Sequence, residues 1–235
     1  MLILAFETSA KAGSVALMDE NRLLGESYCN TGLTHSQTLM TMAEDLLRNC
    51  GFTPKDVTAV AAAAGPGSFT GVRIGVSAAK GFAWGGELPC YGMSTLEAMA
   101  ENMGVWQGIV CPVMDARRAQ VYNALFRAEK GRLTRLTEDR AVALADLAQE
   151  LTDCKETVFL VGDGSELCYN TLSETVSGLV CPPEHRMHQR AAGVALLAKV
   201  RILAGETPSG AELQPSYLRL SQAERERLEK EKGEK

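Results

Sequence analysis

The stretch Gly65-Pro66-Gly67-Ser68-Phe69-Thr70-Gly71-Val72-Arg73-Ile74-Gly75 limits the fold most, because four glycines follow an apolar run, Val57 to Ala64, and open into a helical pattern. A glycine inside a helix costs about 1 kcal/mol relative to alanine. Gly71 and Gly75, four residues apart, therefore imply that something approaches the helix closely. Two phosphate-binding patterns fail here. A P-loop needs Lys-Ser/Thr after its last glycine, where this chain has Val72, and a dinucleotide fingerprint needs a third glycine where it has Thr70. Backbone N–H groups at the helix start could still face an anion. A tight strand-to-helix turn with close packing explains the same residues equally well.

From Gly71 to Trp84 only Arg73, Ser77 and Lys80 are plainly polar, so this helix is covered on more than one side. Gly71, Gly75 and Ala79 form a small stripe that admits another backbone, while Ile74, Ala78 and Phe82 can face a core. In the preceding helix, capped by Thr34 and ended by Gly51, Leu39, Met40, Met42, Ala43, Leu46, Leu47 and Cys50 fill an arc of roughly 160°, against roughly 100° for one sheet face. Two neighbouring helices with surplus apolar surface predict a bundle with a partner's pair.

Residues 2–8, 12–20 and 22–30 read as three strands, with a hairpin turn at Asp19-Glu20-Asn21. A helix, the strand Val57–Ala64, the glycine loop, a helix from Thr70 to Trp84, a short strand near Leu88 and a helix from Ser94 follow. The order returns after Gly104: strands at 109–114, 119–126 and 132–138, a helix at 143–151, a strand at 157–161, a helix at 165–173 and a long helix at 189–204. Such repetition predicts a duplicated α/β fold with a cleft between its halves. A carboxylate ends the first strand of each half, Glu7 and Asp115, and Gly162-Asp163-Gly164 makes a second glycine turn where a base or ribose could rest.

A net charge of -5 disfavours nucleic acid as a direct partner of the whole surface. Seven cysteines never closer than thirteen residues suggest neither a disulfide framework nor a metal clip, and fit a reducing cytoplasm. Leu2–Phe6 is too short and lacks the basic lead of a signal peptide, and no membrane helix is expected. The stretch 223–235, with five acidic and five basic residues, reads as a solvated end.

Catalytic constellations are sparse. His35 would need a metal-binding mate at position 39, which is Leu39. His185 and His188 lack an evident third ligand, which weakens a metallopeptidase reading, and no GxSxG elbow is present. Glu7 and Asp115 could hold magnesium across the cleft, leaving an actin-fold ATPase or small-molecule kinase as an alternative.

Phe6-Glu7-Thr8-Ser9, Leu33-Thr34-His35-Ser36, the glycine stretch, Met114-Asp115-Ala116-Arg117-Arg118 and Pro215-Ser216-Tyr217-Leu218-Arg219 together resemble the TsaB family of bacterial tRNA threonylcarbamoyladenosine biosynthesis subunits. Glu7 stands where that family usually has aspartate. The resemblance implies an actin-like, sugar-kinase-like fold with a first domain at 1–104 and a second at 105–222. It also implies a non-catalytic cytoplasmic subunit that binds and activates the transferase TsaD, with TsaE in a ternary complex, a homodimer when alone, and tRNA reached through the complex. Threonylcarbamoylation of adenosine 37 in tRNAs reading codons that begin with A is the implied task. The positions implied to meet a partner are His35, Leu39, Met42, Ala43 and Leu46 on one helix, with Gly71, Arg73, Ile74, Gly75 and Ala78 on the next. Replacing Gly75 by a bulky residue is then expected to abolish pairing and leave the monomer folded. Glu7, Thr8, Asp115, Arg117, Gly162 and Gly164 are the candidate nucleotide contacts for ATP or ADP, and no firmly held metal is expected.

Overall fold

All six residues of β1 (Leu2–Glu7) are buried, the mark of a strand covered on both faces. The computed structural model describes residues 1–219; the charged stretch 223–235 lies outside the described residues. β1 pairs antiparallel with β2 (Gly13–Asp19), and β2 with β3 (Leu23–Cys29). The Asp19 side chain closes the hairpin between them by accepting the N–H groups of Asn21 and Arg22. On its other edge β1 runs parallel to β4 (Ala59–Gly65), which runs parallel to β5 (Cys90–Ser94). The sheet order is β3-β2-β1-β4-β5.

The second sheet repeats the plan. β6 (Gly108–Asp115) pairs antiparallel with β7 (Gln120–Asn123), β7 with β10 (Arg140–Ala143), and β6 runs parallel to β11 (Val158–Val161), which is parallel to β12 (Leu179–Val180). The order β10-β7-β6-β11-β12 matches the first sheet strand for strand. A hairpin of β8 (Phe126–Glu129) and β9 (Arg132–Arg135) is added where β8 pairs with the start of β6. β7 and β8 therefore share one edge of β6, and the single strand expected over 119–126 breaks at the buried Ala124 and Leu125.

Helices fill both faces. α1 (His35–Asn49) and α2 (Phe69–Gly86) cover one face of the first sheet, where Leu39, Met42, Leu46, Val72 and Val76 pack on Leu4, Phe6, Val15 and Val60. Thr34 sits at the N-cap of α1 as expected, but its hydroxyl makes no cap bond. α3 (Thr95–Ala100) begins at Ser94, whose hydroxyl accepts the Glu97 N–H. α4 (Leu144–Thr152) and α5 (Ser165–Leu172) cover the second sheet, and the short α6 (Glu184–Met187) follows.

α7 (Ala191–Leu203) departs from the expected division. Counted by sequence with the second half, it packs on the first sheet, setting Val194, Ala195 and Ala198 against Ile3, Ala5, Ala61 and Ala63. Its Gly193 lets α3 approach, since a Cβ there would meet the Ala98 carbonyl. Residues 205–219 then run back as a strap: Cys90 N–H donates to Pro208 O, Lys80 Nζ to Leu213 O, and Ser216 N–H to Ala64 O at 2.6 Å. Leu213 plugs the first core. The strand expected near Leu88 begins at Cys90, the residue that meets this strap.

Candidate functional site

The carboxyl ends of β1 and β6 face a cleft of about 660 Å³ between the halves, where open α/β sheets place their ligands. Its walls include Ser9, Gly67 and Phe69 from the first half, Met114, Asp115, Arg117, Tyr122 and Asp163 from the second, and Tyr217 and Arg219 from the strap.

The glycine stretch serves the wall of this cleft. A Cβ on Gly67 would lie 2.5 Å from the Ser9 carbonyl oxygen, one on Gly71 would collide with the Thr8 carbonyl, and one on Gly75 with Thr8 Oγ1. Real contacts tie the same parts together: Thr8 Oγ1 donates to Gly71 O at 2.7 Å and Ser68 N–H to Ser9 O at 2.6 Å. The close neighbour of the helix is thus the protein's own β1–β2 turn. This corrects the expectation that Gly71 and Gly75 make room for a partner. Gly65, with φ of 118°, stands against the Ser216 backbone in the same way.

Of the six candidate nucleotide contacts, Asp115 and Arg117 line the cleft, while Glu7, Thr8, Gly162 and Gly164 do not. Thr8 is occupied by α2. Gly162, at φ of 113°, and Gly164 allow their turn to press on β6, where a Cβ on either would crowd Val113. Glu7 is buried; one carboxylate oxygen accepts the Ser9 N–H at 2.6 Å and Oε2 has no partner among the described residues. Burial pushes its carboxyl from the usual 4.5 to about 7, with Ser9 hydrogen bonds opposing and Asp163 adding to the rise. Glu7 lies behind the cleft wall rather than in its lining, and among the described residues no three acidic, histidine or cysteine side chains converge on a metal position. Burial also raises Asp163, whose carboxylate accepts Gln189 Nε2 at 3.0 Å.

The partner-contact candidates separate into two groups. Leu39, Met42, Ala43 and Leu46 lie in the protein's own core together with Gly71 and Gly75, whereas Arg73 is exposed and His35, Ile74 and Ala78 are half-buried. The free face of α1 carries Met40, Thr41, Glu44 and Arg48, and that of α2 carries Arg73, Ser77 and Trp84, the last 86% exposed. His35 Nε2 donates to Ala10 O at 2.8 Å. Sequence reasoning missed one cluster at the cleft mouth, where Phe69 and Tyr217 stack at 4.5 Å and Arg73 lies 3.8 Å over Phe69 while donating to Tyr217 Oη at 2.7 Å. Its signal was the pairing of Phe69 in the glycine stretch with the distant Pro215–Arg219 run.

The family model described as TsaD, tRNA N6-adenosine threonylcarbamoyltransferase, matches residues 30–227. A Bacillus subtilis protein called tRNA threonylcarbamoyladenosine biosynthesis protein TsaB is 34% identical, covering 99% of this chain and 100% of that one. The solved structure of YeaZ from Pseudomonas aeruginosa superposes with a TM-score of 0.78 at 27% identity, over 92% of this chain and 99% of that one. A hexokinase of the ROK group from Thermus thermophilus shares the fold, with a TM-score of 0.50 at 12% identity over 87% and 100% of the two chains. The duplicated sheets, read from the repeat, thus have the actin-like, sugar-kinase-like architecture that the family resemblance implies. Kinship along its whole length, carried by the same backbone, shows that the chain belongs to the TsaB (YeaZ) family.

Proposed function

We propose that the chain is a non-catalytic subunit in the threonylcarbamoylation of adenosine 37 of tRNAs reading codons that begin with A, and that it binds and activates TsaD, with TsaE joining the ternary complex. Family membership supports the pathway. The observation that carries the subunit role is the use made of α1: His35 is spent on the Ala10 carbonyl and position 39 holds a leucine 2% exposed in the core, so the helix offers no histidine pair for a metal. The outward faces of α1 and α2, with Met40 and Trp84, are the surface that pairs with TsaD, and a second copy of the chain takes the same surface when TsaD is absent. Asp115 and Arg117 are the residues that would meet ATP or ADP entering the cleft.

The test is reconstitution with TsaD, TsaE, threonylcarbamoyl-AMP and tRNA. Modified tRNA is expected only when this chain is present, and the chain alone is expected to consume no ATP. Equal modification without it sinks the proposal, whereas steady ATP hydrolysis by the isolated protein, lost in Glu7→Ala, favours a kinase or ATPase.

A further inference from the structure

Most buried or half-buried arginines of this protein have a carboxylate partner, as Arg135, Arg140, Arg190 and Arg201 do. Arg117 and Arg219 in the cleft lining, Arg73 beside Tyr217, and Arg118 next along the turn from Arg117 have none among the described residues. Arg73 is held by Tyr217, and Arg219 Nη1 donates to the carbonyls of Ala116 and Arg117. On a chain of net charge -5 this is a local reversal of sign.

The turn that carries two of these cations is fixed. Arg117, Arg118 and Ala119 take successive left-handed conformations, with φ of 62°, 57° and 54°, which L residues disfavour. Asp115 holds the turn by accepting the Arg117 N–H at 2.6 Å, and Arg219 holds it from the strap. Both arginine side chains leave this turn exposed. Across the mouth stands the Phe69–Tyr217 stack, with Tyr217 42% exposed. The cleft lining is mixed in charge, Asp115 and Asp163 sharing it with Lys11, Arg117 and Arg219, whereas Arg118 and Arg73 lie outside that lining and carry positive charge alone.

We infer that this rim is a docking surface for an unpaired RNA segment, with Arg117 and Arg118 on its phosphates and a base against the Phe69–Tyr217 stack. Exposed cations on a fixed turn, beside a tyrosine ring that is 42% exposed, are features that hold single strands. The inference rests on the proposed role in tRNA modification, which supplies the RNA, and it replaces purely indirect contact by direct contact of the tRNA's unpaired loop.

The experiment uses the complex of this chain with TsaD and a fluorescent tRNA transcript, with anisotropy read at several salt concentrations. Arg117→Asn/Arg118→Asn removes both charges with a residue that tolerates the left-handed conformation. It is expected to weaken tRNA binding about tenfold and to lower the slope of log affinity against log salt by roughly one to two. Tyr217→Leu is expected to weaken binding about tenfold with the slope unchanged. Unchanged affinity and slope in the asparagine pair, with the complex intact on gel filtration, overturn the inference. So does loss of TsaD association in that pair, which assigns the rim to a protein contact. If the wild-type chain forms no complex with TsaD, the proposed function fails, and the same titration on the isolated chain then tests the rim by itself.

Discussion

At the scale of single residues, Gly75 marks the difference between what the chain suggests and what its packing requires. Because a side chain there would displace Thr8 and break its bond to Gly71 O, Gly75→Ala is expected to cost about 1–3 kcal/mol in urea unfolding. A bulkier residue should unfold the monomer before it affects any partner. Leu39→His tests the same point on α1: the new imidazole would enter the core, so the variant is expected to lose about 2–5 kcal/mol and to retain no zinc or iron after purification. Glu7 adds a pH dependence. Its carboxyl is neutral in both folded and unfolded chains below the usual 4.5, and charged in both above about 7, where only the folded chain bears the burial penalty. Stability should therefore fall as pH rises through that window, by on the order of 3 kcal/mol. Thermal melting of Glu7→Gln should show a gain over the wild type that grows from pH 5 to pH 8, and a constant difference would refute the assignment.

At the scale of elements, the strands and helices were largely legible, because β1, α1, α2 and α7 carry long apolar patterns with clear turn chemistry between them. The short β10 and β12 were not, since four and two residues hold no periodic signal and are defined by their neighbours. The apolar excess on α1 and α2 was legible too, but not what it meets. The sheet and the β1–β2 turn claim the broad face, leaving a free face that only the fold reveals. Ser77 lies on that free face and is exposed. Ser77→Arg is expected to leave circular dichroism and melting unchanged and to abolish the TsaD complex on gel filtration, while an intact complex would move the interface elsewhere.

At the scale of the whole molecule, the repeat was readable from element order alone, whereas the return of α7 was not. Its sequence, nearly all apolar, says that it is covered from several sides but not by which half. The structure gives it to the first sheet, with the Ala191 N–H donating to Ser14 Oγ across 177 residues of chain. A fragment of residues 1–104 is accordingly expected to lack cooperative melting and to regain it when a peptide spanning residues 189–219 is added. A cooperative transition in the fragment alone would show that α7 is dispensable. The cleft residues divide in the same way: Asp115 was legible as a strand-end carboxylate, while Tyr217 meets Phe69 and Arg73 only because the strap returns.

That return also sets an order of events during synthesis. β5 is complete long before α7 has been made, and at about 5–20 residues per second the interval is roughly 5–20 s. Throughout it, the face of the first sheet bearing Ile3, Ala5, Ala61 and Ala63 has only the short α3, through Ala98, to cover it. A nascent chain of this protein is thus a natural client for chaperones that bind exposed apolar strands, and it is released from that dependence only when nearly all of it has left the ribosome.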